Sequence, residues 1–173
     1  MQDVRKKAAK IKLVIFDVDG VLTDGKLFFD EQGREYKTFH TRDGFGIRQL
    51  RQTGVEVAVI SGRNAPVVAL RMADLGVPHV FQGQENKLIA FETLSQELSL
   101  TPEQIAHVGD DLPDLPLFLR VGLAIAVADC HHSILPYVDW RTSQPGGSGA
   151  ARDVCDLIME AQGHYSHTIE RYL

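Results

Sequence analysis

Two aspartates follow a short apolar run near the start of the chain, and together they could bind a metal ion or react. The run Leu13–Phe16 is typical of a buried strand, and Asp17 and Asp19 come directly after it. Because residues two apart on a strand point the same way, both carboxylates should face one place. At ~6 Å and an effective dielectric near ~20, their repulsion is ~3 kcal/mol. A bound cation would relieve that repulsion.

Polar residues also follow three other apolar runs, at points where predicted strands end. Parallel strands place their carboxyl ends along one edge of a sheet, where ligands bind. Asp17, Asp19 and the later pair Asp110 and Asp111 should therefore converge, and carboxylates with water are the ligands that Mg²⁺ prefers. The sequence predicts an Mg²⁺ site at this edge. The other residues of this predicted site are Ser61, Gly62, Arg63, Lys87 and Asp114.

The residues predicted to lie beside this acidic cluster indicate phosphate chemistry. The Ser61 hydroxyl and the amides after it can bind phosphoryl oxygens, and Lys87 supplies a positive point charge. Asp17 is a candidate nucleophile, since carboxylates can form aspartyl-phosphate intermediates. Asp19 is placed to protonate the leaving oxygen and then to activate water. The negative charge of Asp17 and of the phosphate favours the protonated Asp19 which that role needs.

Short β-branched runs alternate with helical patterns along the chain, which predicts an α/β fold with a parallel sheet covered on both faces. We expect a single Rossmann-like, doubly wound domain over residues 1–173, with a β-hairpin at 26–39. The hairpin aromatics are too many for one short hairpin to cover, which favours a homo-oligomer. The predicted strands are Leu13–Phe16, Val55–Ile60, His79–Phe81, Ile105–Val108 and Leu123–Val127. The predicted helices are Gly44–Gln52, Ala65–Leu75, Lys87–Leu98 and Leu115–Val121.

Composition sets further limits on function. The chain has 173 residues, 44% hydrophobic and 24% charged, which suits one soluble domain. A net charge of −5 argues against nucleic acid as a partner, and no stretch reaches the ~20 apolar residues that cross a membrane. Cys130 and Cys155 are too few for a disulfide framework, so we expect cytoplasmic residence. The tail, residues 164–173, has no clear pattern; it is either flexible or docked near a neighbour's site.

Four separated segments resemble the four motifs of the haloacid dehalogenase superfamily, in order and spacing. They are Asp17–Asp24, Ser61, Lys87 and Gly109–Asp111. The resemblance implies that Asp17 is nucleophile and metal ligand, and that Asp19 is acid and base and binds metal through its backbone carbonyl. It also implies that Asp110 is the third metal ligand. Asp111 and Asp114 are implied to contact the metal ligands or to order the loop, without binding the metal themselves. The gaps between motifs are too short for the cap domain that members usually carry.

A closer resemblance, over roughly residues 11–163, is to the 3-deoxy-D-manno-octulosonate 8-phosphate phosphatase family. It is carried by His40–Ile47, Ile60–Arg63, Ala73–Gly76, Val108–Asp111 and Gly146–Arg152. This family implies a capless homotetramer that hydrolyses an acidic sugar phosphate for lipopolysaccharide biosynthesis in a Gram-negative cytoplasm. Arginine binds carboxylates bidentately, which suits a sugar acid. The substrate-binding residues that the resemblance implies are His40, Thr41, Arg42, Asp43, Gly44, Arg48, Arg63 and Arg71.

Other interpretations stay open. The same chemistry on N-acylneuraminate 9-phosphate fits the motifs equally well. A phospho-acceptor signalling module also uses an aspartate cluster with Mg²⁺, a hydroxyl and a lysine, although Asp19 argues against it. An inactive relative that serves as an assembly subunit is a further alternative. Among single features, Arg48 and Arg71 could form only surface ion pairs, Asp111 and Asp114 could only cap a helix, and Gly146–Gly149 could be a flexible linker.

Overall fold

The apolar runs form the strands of one parallel sheet in the computed structural model, which describes residues 1–173. The five predicted strands are confirmed to within a residue or two. A sixth, two-residue strand at the edge of the sheet was not predicted. The strands in chain order are β1 (Leu13–Phe16), β2 (Phe28–Phe29), β3 (Glu35–Tyr36), β4 (Glu56–Ile60), β5 (His79–Phe81), β6 (Ile105–Gly109), β7 (Leu123–Ala126) and β8 (Trp140–Arg141).

The sheet runs in the order β5-β4-β1-β6-β7-β8, with every neighbouring pair parallel. The chain winds outward from β1 in one direction through β4 and β5, and from β6 in the other. The strand order therefore reverses between β1 and β6, where α/β sheets open a binding crevice. In the register, Phe16 lies beside Val59 on one side and Val108 on the other. This register places the polar residues that follow these strands at one edge.

Helices cover both faces of the sheet, as a doubly wound fold requires. The helices are α1 (Gln2–Ala8), α2 (Thr41–Gln52), α3 (Pro66–Leu75), α4 (Lys87–Glu97), α5 (Leu115–Phe118), α6 (Ala150–Ala161) and α7 (Tyr165–Glu170). One core cluster joins one face of the sheet to α1, α2, α3 and α6, and a second joins the other face to α4 and α5. None of them has the length and apolar content needed to cross a bilayer.

The helix predictions were less accurate at the chain ends. Neither α1 nor α7 was predicted, because polar sequences give a weak periodic signal. Helix α5 ends three residues before the predicted end. For the tail, a flexible segment was one of the two expectations. In the structure the tail contains α7. Its Tyr172 ring lies 5.6 Å from the Phe45 ring of the same chain, so the tail packs on α2.

The hairpin β2–β3 protrudes as predicted, and there is no cap domain. Phe28 pairs with Tyr36, and their rings meet edge to face at 5.9 Å. Even so, Phe28 is 66% exposed, Phe29 50% and Tyr36 48%. One short hairpin cannot bury its own aromatic rings, as the sequence analysis expected.

Candidate active site

Asp17 lies at the carboxyl end of β1, in the middle of the sheet. One of its carboxylate oxygens accepts a hydrogen bond from the Val18 amide at 2.6 Å. The other lies 2.7 Å from Nζ of Lys87. Burial raises the pKa of Asp17, and the positive charge of Lys87 opposes that rise. The side chain is therefore held in one position beside a cation, at the edge where ligands bind.

Lys87 is buried although it carries a charge. It is the first residue of α4, whose start is capped by the Asn86 side chain accepting from the Leu88 amide. Its amino group donates to Asp114 at 2.7 Å and also contacts Asp17. Burial alone would lower the pKa of Lys87, but the charges of Asp114 and Asp17 outweigh it and raise the pKa. Lys87 is thus a fixed positive charge within the site.

Three buried or half-buried carboxylates converge here. Asp17, Asp110 and Asp114 each place an oxygen within 4.8 Å of the others. Asp114 is already fully engaged: Oδ1 contacts Lys87 and His107, and Oδ2 accepts from the amides of Asp110 and Asp111 at 2.9 and 3.4 Å. Burial alone would raise the pKa of Asp114, but His107 and Lys87 hold it well below its usual range. Asp114 therefore holds the Lys87 amino group and the Asp110 amide in place.

Asp110 is different, because no neutralising partner faces its carboxylate. Burial and the negative charges of Asp114, Asp17 and Asp111 raise the pKa of Asp110 to about 7. A carboxylate that is this unfavourable in its charged form needs a cation beside it. Two oxygen donors, on Asp17 and Asp110, with space for water, fit a hard divalent ion. The donor set agrees with the predicted magnesium site.

Asp19 points away from that triad, towards the hairpin. Its Oδ1 contacts Nζ of Lys37, and Nε of Arg63 lies 3.7 Å from its Oδ2. That Oδ2 is buried and has no hydrogen-bond partner. Glu35 bridges the two cations, with its oxygens 2.7 Å from Lys37 and 3.0 Å from Arg63. The expected repulsion between Asp17 and Asp19 is thus relieved by separate cations, one from α4 and one from the hairpin.

Lys37 was missed by the sequence analysis. Its side chain is only 1% exposed although it lies just beyond β3. A signal was available, because Glu35 and Lys37 are two residues apart and share one face of an extended segment. What the pattern could not give is the direction in which the hairpin folds back over Asp19.

A cavity of about 410 Å³ opens beside Asp17 and Asp19. Ser61 is buried at the end of β4, where its amide donates to the Phe81 carbonyl at 2.9 Å and fixes the turn. Helix α3 begins a few residues later, at Pro66. The cavity wall therefore combines acidic, hydroxyl and cationic groups. It is lined by Asp17, Asp19, Ser61, Gly62, Arg63, Gln84, Glu85, Lys87 and Pro113.

Two glycine segments let backbones meet behind the site. Gly20 has φ +88°, and a Cβ there would lie 2.1 Å from an Asp110 oxygen. A Cβ on Gly146 would lie 1.8 Å from the Gly20 carbonyl oxygen, and the Gly147 amide donates to the Val21 carbonyl at 2.9 Å. The segment 146–149 is therefore packed against the loop after β1. It is not a free linker.

The predicted substrate-binding residues lie in three separate places. Arg63 lies at the wall of the acidic cavity. His40, Asp43, Gly44 and Arg71 surround a second, much smaller space near Phe39. Arg48 pairs with Asp74 at 3.2 Å on the surface. The chain by itself does not bring Arg48 to the acidic cavity, so its contact with substrate stays a prediction.

Within the second group, several side chains have structural partners. The His40 side chain caps α2 by accepting from the Arg42 amide, while Thr41 and Arg42 are exposed. Asp43 is buried and accepts from the Arg152 amide at 2.8 Å and the Gly149 amide at 3.3 Å. Asp43 thus ties the start of α2 to the start of α6. Their roles towards a substrate remain predictions.

Two further residues have local contacts that do not involve the cavity. Arg71 pairs with Asp74 at 2.8 Å, and a Cβ on Gly44 would lie 2.3 Å from the Arg71 guanidinium. Asp111 accepts from the Leu112 amide at 2.8 Å and caps the short 3₁₀ turn Leu112–Asp114. The capping interpretation of Asp111 fits this contact.

Known proteins are similar to this chain in sequence and in structure. The model of a family described as haloacid dehalogenase-like hydrolase matches residues 78–152. The 3-deoxy-D-manno-octulosonate 8-phosphate phosphatase KdsC of Escherichia coli strain K12 is 51% identical over 161 residues, covering 93% of this chain and 86% of that protein. The chain belongs to the 3-deoxy-D-manno-octulosonate 8-phosphate phosphatase family. The predicted family and enzyme class, a phosphoric monoester hydrolase, are thereby confirmed.

Solved structures agree with this membership. The phosphatase of this family from Moraxella catarrhalis, in complex with magnesium ion, phosphate ion and a KDO molecule, superposes with a TM-score of 0.98 at 38% identity, covering 100% of this chain and 99% of that one. A probable YrbI family phosphatase from Pseudomonas syringae pv. phaseolica 1448a gives a TM-score of 0.98 at 48% identity, covering 99% and 98%. The predicted fold class is confirmed.

Proposed function

We propose that this phosphatase hydrolyses 3-deoxy-D-manno-octulosonate 8-phosphate to the free sugar acid and phosphate. The observation that carries the proposal is the position of Asp17, held 2.7 Å from Lys87 beside Asp110 and opening into a cavity with Ser61. The substrate is inferred from the family and from a relative solved with magnesium, phosphate and KDO. A carboxylate nucleophile next to a phosphate-binding hydroxyl is the arrangement that this reaction needs.

Magnesium is the cofactor of this proposal. Side-chain oxygens of Asp17 and Asp110 would hold it, with the backbone carbonyl of Asp19 as the family resemblance implies. When bound, the ion would neutralise charge on a phosphoryl oxygen and on the carboxylates. Burial and the neighbouring carboxylates outweigh the charge of Lys87 at Asp110 and raise its pKa, which supports its role as a metal ligand.

In the first step, an Asp17 oxygen attacks phosphorus, and the bond from phosphorus to the sugar oxygen breaks. Asp19 gives its proton to the departing oxygen, and an aspartyl phosphate remains on Asp17. Lys87 and the Ser61 hydroxyl face the phosphoryl oxygens in the same cavity. In the second step, Asp19 takes a proton from water as that water attacks phosphorus, which releases phosphate and restores Asp17.

Asp19 must begin the cycle protonated, although Lys37 and Arg63 lie beside it. The phosphate dianion carries negative charge into the cavity and competes with Asp19 for these two cations. That competition would leave the Asp19 carboxyl free to face the departing oxygen. Arg63 is the arginine of the predicted substrate set that lies at this cavity, and it suits the sugar carboxylate.

The proposal includes a homo-oligomer, with the tetramer that the family implies. Exposed aromatic rings on the hairpin adjoin Val67 and Leu70 of α3, around an open space of about 660 Å³. A contiguous apolar surface of this kind favours a protein partner. Light scattering at micromolar concentration measures the assembly, and a monomer there would contradict this part.

The proposal also assigns a cellular role. The product would enter lipopolysaccharide biosynthesis in the bacterial cytoplasm, as the family implies. Cys130 and Cys155 are both free thiols, which fits a reducing compartment. A deletion strain that still converts the octulosonate phosphate in a cell extract at the wild-type rate would contradict this role.

Phosphate release tests the substrate directly. With Mg²⁺ present, kcat/KM for 3-deoxy-D-manno-octulosonate 8-phosphate should exceed that for N-acylneuraminate 9-phosphate. The reverse order would overturn the substrate assignment while leaving the chemistry intact. EDTA should remove activity and Mg²⁺ restore it.

The variant Asp17→Asn tests the nucleophile. Its kcat should fall by at least ~10³-fold, because a neutral amide is a poor nucleophile. Circular dichroism should show an unchanged fold. Appreciable phosphate release by this variant would refute the assignment of Asp17. A phospho-enzyme that lasts for minutes in the wild type would instead favour a signalling module.

A further inference from the structure

His107 is a buried polar residue in the middle of the sheet, and the mechanism above does not use it. It lies in β6, a central strand that is otherwise apolar apart from its final glycine, and its exposed fraction is 0%. A buried polar side chain is unfavourable unless its hydrogen bonds are made. The sequence analysis overlooked it because it lies inside the strand and not at its end.

Both ring nitrogens of His107 face acceptors. Nδ1 lies 3.2 Å from the Ile15 carbonyl oxygen, and Nε2 lies 2.8 Å from Oδ1 of Asp114. A carbonyl oxygen can only accept, and Asp114 is already held as a carboxylate by Lys87 on the same oxygen at 2.7 Å. Because the Asp114 oxygen accepts, the ring donates to it from Nε2. The ring is also packed 5.2 Å from the Phe118 ring, which limits its rotation.

We propose that His107 is a positioning residue for the phosphatase site, donating from Nε2 to Asp114 and fixing that carboxylate against β1. Asp114 then controls two parts of the site. Its Oδ1 anchors the Lys87 amino group, and its Oδ2 anchors the backbone amide of Asp110. The chain of contacts from Ile15 through His107 and Asp114 thus connects the strand that precedes Asp17 to the groups opposite it.

This inference rests on the proposed function of the site, since the groups positioned are those of the proposed reaction. Outer groups that orient metal ligands typically change metal affinity or activity by about 10–100-fold when they are removed. A histidine that only fills the core would change stability and leave Mg²⁺ affinity alone. The two roles can therefore be separated by measurement.

The test compares three variants. His107→Phe keeps an aromatic ring but has no donor, His107→Gln keeps one donor towards Asp114, and Ile105→Val trims the same strand face without touching the site. We expect His107→Phe to bind Mg²⁺ about 10–100-fold more weakly by calorimetry, with a parallel loss in kcat. His107→Gln should lose less, and Ile105→Val should match the wild type in both. Mg²⁺ affinity and kcat within about twofold of wild type in folded His107→Phe would overturn the proposal.

A second measurement uses the wild-type protein, so it does not depend on how the variants fold. Nitrogen-15 NMR of the histidine rings should show a proton on Nε2 of His107 with Mg²⁺ bound. A bare Nε2 would overturn the proposal. Calorimetry and NMR need no substrate, so they remain decisive even if the octulosonate phosphate proves not to be hydrolysed.

Discussion

Replacing Asp110 by asparagine should stabilise the metal-free protein at neutral and alkaline pH. The folded chain raises the pKa of Asp110 from its ordinary value of 3.8 to about 7, through burial and three neighbouring carboxylates. The folded state therefore binds this proton more tightly than the unfolded chain does. The resulting stability is complete below about pH 4 and is lost as the pH rises through about 7.

The magnitude follows from the same comparison. The pKa of Asp110 rises by about three pH units, and each is worth about 1.4 kcal/mol, which gives an upper value of about 4 kcal/mol. Water reaches part of this carboxylate and screens it, so about 2–4 kcal/mol is the expected range. Asparagine carries no charge at any pH. At pH 8 in EDTA, Asp110→Asn should therefore exceed the wild type by this amount in free energy of unfolding.

Urea unfolding between pH 5 and pH 8, in EDTA and in millimolar Mg²⁺, measures this effect. The difference between variant and wild type isolates residue 110, because other titrating groups cancel. Mg²⁺ should stabilise the wild type, by about 2.7 kcal/mol at a hundredfold excess over its Kd, and should barely affect Asp110→Asn. Asp3→Asn is the control, since this exposed carboxylate is not among those that raise the pKa of Asp110 and the change should stay within ~0.5 kcal/mol. A difference at residue 110 that is independent of pH would refute the reasoning.

Two further predictions concern contacts that surround the site. Gly146→Ala should lower the free energy of unfolding in urea by more than ~2 kcal/mol and lower kcat, because its Cβ would meet the Gly20 carbonyl. The control Gly33→Ala lies in open space at φ +75°, so its free energy of unfolding should fall by only about 1–2 kcal/mol and its kcat should not change. Lys37→Met should lower the free energy of unfolding by about 3 kcal/mol, because it leaves the Asp19 carboxylate without its closest cation. Equal effects of the two glycine changes, or an unchanged urea midpoint for Lys37→Met, would contradict these expectations.

The sequence predicted the convergence of Asp17 and Asp110 because both follow apolar runs in a parallel sheet. The convergence predicted for Asp19 and Asp111 was wrong: Asp19 turns to the hairpin and Asp111 caps a turn. Asp17, Ser61 and Asp110 occupy strand ends, so the period of the pattern and one rule about parallel sheets were enough to bring them together. The same reasoning could not reach Lys37 or His107. One depends on how a protruding hairpin folds back, and the other on the partner that a core side chain finds across the sheet.

Contacts between distant segments account for the other gaps. The segment 146–149 resembled a linker because its glycines carry no side chains, yet its backbone packs against the loop after β1. The edge strand β8 has only two residues, too few for a periodic pattern to indicate it. The placement of Arg48 beside Asp74 likewise depends on tertiary structure, so its predicted substrate contact stays untested.

The packing of Gly146 and Gly147 against the loop after Asp17 bears on how the enzyme is made. The nucleophile precedes in the chain the backbone that supports its loop, so Asp17 is synthesised before Gly146 and Gly147. A ribosome-bound chain that stops before residue 146 has every sequence motif of the active site but lacks the surface on which the Gly20 loop rests. Catalytic competence should therefore arise only after segment 146–149 has been synthesised and has packed on that loop. Chains truncated before residue 146 should be inactive even where the rest of the sheet has folded.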